Sequence, residues 1–252
     1  MMAAATRDAL TSHINPWSFT PIGRAMAAGS DVLENMLRPR QKPAWGLEHA
    51  TDGGPAVPLR IETVAKTTFC NLVRFHRPDP ARANDPKVLL IAPMSGHYAT
   101  LLRKTVQAMA ADHDVYVTDW VDAAQVPVGR GSFGLEEYIG LLMDFMRLLG
   151  PGCHVMAVCQ PAPPALAAVA ILAERRDPCR PAGMILMGGP VDPAAAPTAV
   201  TQMAAERPLS WFRENCIYAV PPHLPGAGRR VYPGFLQLRA FLAMNPGRHA
   251  SA

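Results

Sequence analysis

Long apolar runs are missing from this chain. No uninterrupted hydrophobic stretch approaches the length of a membrane span, so no bilayer-crossing helix is expected. The start, Met1-Met2-Ala3-Ala4-Ala5-Thr6-Arg7-Asp8, has no basic segment leading into an apolar core and does not read as a secretory signal. Concentrated charge is missing too. The formal net charge is only +4 and is spread along the chain, with Arg38-Pro39-Arg40-Gln41-Lys42 as the one short basic cluster. That cluster reads as a solvated linker rather than an anion site, and no nucleic-acid partner is expected. The five cysteines, Cys70, Cys153, Cys159, Cys179 and Cys216, are odd in number and show no C-x-x-C spacing. This argues against a disulfide framework and against a metal site, and a reducing cytoplasm is the simplest home. Aromatic side chains make up only 7% of the residues, so the core must be built from aliphatic groups and close helix packing.

What is present is 252 residues, about half of them apolar, enough for one sizeable core. Three stretches are expected: an N-terminal helical segment and linker over 1–58, an α/β core over 59–192, and a cap-like segment over 193–252. In the first, Thr20 is placed to cap a helix from Pro21 to Leu37, and Pro39 to Pro58 reads as a connector. The core opens with two strands, Leu59–Val64 and Thr67–Phe75. A regular alternation follows, of Val88–Ala92 as a buried strand, apolar residues from Tyr98 to Met109 at helical spacing, and Asp114–Trp120 as a strand. It continues with a helix marked by Leu135 to Leu149, a strand His154–Val158, a helix Ala165–Arg176 and a strand Gly183–Gly188. Such alternation implies a mostly parallel sheet with helices on both faces. Beyond Asp192 the sequence is Pro-rich and aromatic-bearing, and no further strand is apparent.

Cys159 stands where the strand His154–Val158 meets the next helix, the place where a nucleophile elbow carries its reactive residue. The positions two before and two after it hold Ala157 and Pro161, where glycines are usual. Pro161, Pro163 and Pro164 suit a helix's first turn and leave the Gln160 N–H free for an oxyanion. The plainer alternative is a small buried cysteine at the end of a core strand. A second element tips the balance. The strand ending at Ala92 opens into Pro93-Met94-Ser95-Gly96-His97-Tyr98, the loop that supplies the other oxyanion N–H in α/β hydrolases. Ser95 N–H is the preferred donor and Met94 the next. Ser95-Gly96 also serves as a helix cap, which is compatible. The fold class is therefore α/β, with an α/β-hydrolase-like, mostly parallel sheet and a C-terminal cap segment. His97 is a possible base but reads better as a surface or supporting histidine, and His154 as structural. Asp119 and Asp122 suit loop or capping roles. Asp192 is the best carboxylate to orient a histidine, with a turn-forming role before Pro193 as the alternative.

Several further stretches carry a family resemblance. Pro93-Met94-Ser95-Gly96-His97-Tyr98-Ala99-Thr100-Leu101-Leu102-Arg103, Val117-Thr118-Asp119-Trp120, Val126-Pro127-Val128-Gly129, Val158-Cys159-Gln160-Pro161 and Arg229-Arg230-Val231-Tyr232-Pro233-Gly234-Phe235-Leu236-Gln237 together resemble the intracellular poly(3-hydroxybutyrate) depolymerases. The resemblance runs from about Pro16 to His249. It implies a cytoplasmic, granule-associated enzyme that hydrolyses polyhydroxyalkanoate esters, with Cys159 as nucleophile and no cofactor. The expected partner is a polyhydroxyalkanoate granule or oligomer, and a homodimer stays open. Family members continue past the stretch matching Phe235–His249, and that later part carries their catalytic Asp, His and last strands. The expectation is therefore a truncated chain with impaired activity, in which Asp192 or His97 is the nearest substitute. Two other classes remain open. A polyhydroxyalkanoate synthase would use a similar cysteine but flank it with glycine, and a granule-surface protein would not need a triad.

Overall fold

A six-stranded sheet forms the centre of the described structure. The computed structural model describes residues 15, 20, 42–50, 56–94, 98–234 and 236–237, so the expected helix Pro21–Leu37 lies outside the described residues. Residues 43–234 form one compact unit, and residues 1–42 with 235–252 form another. The sheet belongs to the first of these.

The strands are β1 (Arg60–Lys66), β2 (Cys70–His76), β3 (Lys87–Ile91), β4 (Asp114–Trp120), β5 (His154–Val158) and β6 (Gly183–Met187). Their order across the sheet is β1-β2-β4-β3-β5-β6. β2 runs antiparallel to both β1 and β4, and the remaining neighbours are parallel. This order is α/β-hydrolase-like. Sequence explains which strands are central: β4, Asp-Val-Tyr-Val-Thr-Asp-Trp, is buried almost throughout and reads as a β-branched run covered on both faces. β1 carries Arg60, Glu62 and Lys66 and is mostly exposed, as suits an edge where charge discourages further pairing.

Each face is closed by helices. On one side, a 3₁₀ turn at Ala99–Leu102 leads into α1 (Arg103–Met109), whose Val106 packs with Val73, Leu90, Val115 and Val117. On the other lie α2 (Leu135–Leu149) and α3 (Ala162–Glu174), with Leu142, Met146, Ala165 and Leu172 packed on Leu72, Leu89, Ile91 and Val155. Burying a side chain such as Leu142 completely is worth about 2 kcal/mol. α2 begins where expected because Glu137 accepts the Gly134 N–H at 2.7 Å, and Glu136 and Glu137 both lie at the positive end of the helix dipole. α3 begins three residues earlier than its apolar spacing predicts. Pro163 and Pro164 sit inside its first turn, where a missing N–H leaves no bond unmade.

Past β6 come α4 (Ala199–Glu206), capped by the Thr198 hydroxyl accepting from Thr201 N–H, and α5 (Leu209–Asn215). The expectation of no further strand is corrected here: Tyr218–Ala219 pairs antiparallel with Arg230–Val231. Two-residue ladders are too short to show alternation in a sequence. The presumed connector likewise contains one, His49–Ala50 against Val57–Pro58. The turn between Ala219 and Arg230 docks on the loop following β4. Gly226 N–H donates to Ala124 O at 2.8 Å, and the Arg229 guanidinium donates to the carbonyls of Val126, Pro127 and Gly131. No side chain fits at Gly226, where a Cβ would meet the carbonyls of Ala123, Ala124 and Val126.

Candidate active site

Parallel pairing puts the ends of β3 and β5 side by side, with Ile91 opposite Ala157. The helices that follow these two strands lie on opposite faces of the sheet, α1 on one and α3 on the other. Diverging connections of this kind open a crevice at the carboxyl ends of the strands. Cys159 follows β5 directly at that end of the sheet.

Its backbone is the first notable feature. Cys159 has φ +67°, in the left-handed region that costs a residue with a Cβ on the order of 1–3 kcal/mol. The surroundings enforce it: Cys159 N–H donates to Met187 O at the end of β6 (2.7 Å), and its carbonyl accepts Ala162 N–H at the start of α3 (3.1 Å). A strained residue pinned between a strand and a helix is the geometry of a nucleophile elbow. The thiol is half-buried and not in a disulfide. The amino end of α3 lies beside it, where the dipole favours negative charge developing on a bound group.

Room for this turn comes from Gly189. A Cβ there would overlap the Cys159 carbonyl oxygen and the Ala162 Cβ. The elbow therefore meets its requirement for a small residue partly on a neighbouring loop, which is why Ala157 and Pro161 can stand at the local positions where glycines are usual. The Gly188-Gly189 pair directly after a strand was the available signal, but nothing in the sequence connected it with Cys159.

The loop after β3 is held from two directions. From β4, Thr118 accepts the Ala92 N–H at 2.9 Å and the Trp120 indole donates to Ala92 O at 2.7 Å. Trp120 is itself set by edge contacts with Tyr138 and Phe133 at 4.8 and 5.9 Å. From the elbow, the Gln160 side-chain oxygen accepts Met94 N–H at 2.9 Å. The loop and the elbow are thus brought together as expected, but Met94 N–H, the reserve oxyanion donor, is engaged. Ser95 and His97 lie outside the described residues. Gln160 N–H donates to no acceptor among the described residues.

The remaining sequence candidates are placed in other roles. Asp192 accepts the N–H groups of Ala194 and Ala195 at 2.9 and 3.3 Å, which makes it a turn-former. Asp122 caps its own 3₁₀ turn through Ala124 N–H. Asp119 is buried within β4. His154 begins β5 with its ring against Gly183, at the opposite end of that strand from Cys159. Among the described residues no cluster of His, Cys, Asp or Glu could hold a metal ion, and no helix is long and apolar enough to cross a membrane.

Comparison with known proteins bears mainly on the segment after β6. Residues 188–252 match the family described as PHB de-polymerase C-terminus. No curated protein matches the chain. Among solved structures it is similar to the thioesterase domain from the curacin biosynthetic pathway (15% identity, 74% of each chain covered, TM-score 0.41). A putative lipase from Acinetobacter baumannii AYE is 12% identical over 77% of this chain and 62% of the lipase, with a TM-score of 0.38. The Vlm2 thioesterase domain is 16% identical over 46% of each chain, with a TM-score of 0.36, so the chain spans less than half the length of that domain. The order of the strands, rather than these partial superpositions, defines the fold. The chain thus carries an α/β-hydrolase-like sheet followed by a stretch similar to the C-terminal part of polyhydroxybutyrate depolymerases.

Proposed function

We propose that this chain belongs to a carboxylic ester hydrolase that cuts polyhydroxyalkanoate, with Cys159 as its nucleophile. The observation that carries the reading is the left-handed backbone of Cys159, a residue with a Cβ, at the junction of β5 and α3. A cysteine merely filling a core position has no need of that strain. The substrate class rests on the depolymerase-like stretch over 188–252.

In this mechanism the Cys159 sulfur attacks the ester carbonyl carbon, and the carbonyl electron pair moves onto oxygen. The Gln160 N–H and a donor from the loop after β3, with Ser95 N–H preferred, hold the oxyanion. Collapse expels the hydroxyl end of the polymer, which takes up a proton, and leaves a hydroxyacyl thioester. Water then releases the hydroxy acid and returns the thiol. A base must serve both halves of the cycle. Asp192 faces its own turn, so it is a poor substitute in this role, and His97 remains the candidate closest in sequence to the crevice. The segment from α4 to Arg230–Val231, anchored through Arg229 on the loop after β4, works as a cap over this end of the sheet. The enzyme acts at granules in the cytoplasm and needs no cofactor.

The test is incubation with amorphous poly(3-hydroxybutyrate) granules. Release of 3-hydroxybutyrate at an impaired but measurable rate is expected, and its loss in Cys159→Ala. Undiminished release from Cys159→Ala, or granule binding without turnover by the unaltered protein, would sink the reading. CoA release from hydroxybutyryl-CoA would replace it with a synthase-type transfer.

A further inference from the structure

An oxyanion hole built from two separate loops works only if those loops keep a fixed separation, because stabilisation depends on donors standing about 3 Å from a charge that has yet to form. The backbone ladder between β3 and β5 ends at Ile91–Ala157, one residue short of the loop and two short of Cys159. Beyond that point, strand pairing no longer sets the separation. The Gln160 side chain crosses the gap. Its carboxamide oxygen accepts Met94 N–H at 2.9 Å, while its own backbone N–H follows the nucleophile directly.

The geometry points to Gln160 as the positioning residue of the oxyanion hole, its side chain locking the loop after β3 to the elbow so that one residue both donates to the oxyanion and sets where the second donor stands. This rests on the hydrolase reading above. It also accounts for an amide at this position. The acceptor must be uncharged, because a carboxylate here would stand beside the developing oxyanion and oppose it. An apolar side chain of equal length would leave Met94 N–H without its partner and the loop free to move.

Two reactions at Cys159 separate positioning from mere structural support. Acylation by p-nitrophenyl butyrate passes through an oxyanion, whereas alkylation by iodoacetamide displaces iodide at a saturated carbon and does not. In Gln160→Met, the first-turnover release of p-nitrophenolate should slow by about 10²-fold. Alkylation of Cys159, followed by mass spectrometry of its peptide, should stay within about twofold of the unaltered protein, since no donor acts on that step. Hydrogen exchange at the Met94 amide should quicken in Gln160→Met but stay slow in Gln160→Glu, which keeps an acceptor. Equal slowing of both reactions would mean that Gln160 only supports the thiol or the fold, and would overturn the inference. Cys159-dependent acylation that is indifferent to Gln160→Met would overturn it and leave the hydrolase reading standing. If the unaltered protein alkylates but never acylates, both fall.

Discussion

Gly189→Ala adds one methyl group and tests whether the end of β6 packs against the elbow. The new Cβ would overlap the Cys159 carbonyl oxygen and the Ala162 Cβ, a backbone atom and the first residue of α3, neither of which can rotate away. Relief requires the end of β6 to withdraw from the elbow by roughly an ångström, given the 3.5–4.0 Å that carbon atoms prefer. That movement breaks the 2.7 Å bond from Cys159 N–H to Met187 O, worth about 1 kcal/mol. Overpacking adds about 1–3 kcal/mol. The sum is a loss of about 2–4 kcal/mol, or roughly 4–16 °C in Tm at 2–4 °C per kcal/mol for a domain of this size. Thermal and urea melts measure it, and the rate of Cys159 alkylation should change with it, because the thiol loses its pinned backbone. An unshifted Tm with unchanged alkylation would show that β6 does not pack on the elbow.

At the other end of the sheet, Arg74 donates to Asp114 at 2.8 and 2.9 Å and to Glu62 at 3.0 Å, while only 7% of the Asp114 side chain is exposed. Arg74→Met leaves that carboxylate buried without its cation. A cost of about 2–3 kcal/mol is expected, at or below the usual range for a broken buried pair because Arg74 is itself partly open to water. A shift in the urea midpoint equivalent to less than about 0.5 kcal/mol would contradict this. A pH effect is expected at Asp177, whose carboxyl is held below its ordinary value by the Cys179 N–H and then by Arg147. A depressed carboxyl stabilises the fold above its unfolded value, near pH 4, and loses that contribution as pH falls through the folded value. Melts from pH 7 down to pH 3 should therefore fall less steeply in Asp177→Asn, and identical slopes would refute the assignment.

The regular core was legible from periodicity. Asp114–Trp120 and His154–Val158 have the bounds their apolar runs imply, and Leu135–Leu149 is the helix its spacing marks. The position of Cys159 was legible as well, since a cysteine between a strand and a helix is a local pattern. The contacts around it were not. Met94 and Gln160 are 66 residues apart, Arg229 and Val126 are 103 apart, and Gly189 has no local pattern that pairs it with Cys159. Periodicity records which face of an element is buried and says nothing about which loops meet. The sequence by itself determined the strands and helices of the regular core and the position of the thiol, because each depends on neighbours a few residues away. The tertiary structure decided the strain at Cys159, the engagement of Met94 N–H and the turn-forming role of Asp192, because each depends on where folding places a particular backbone group.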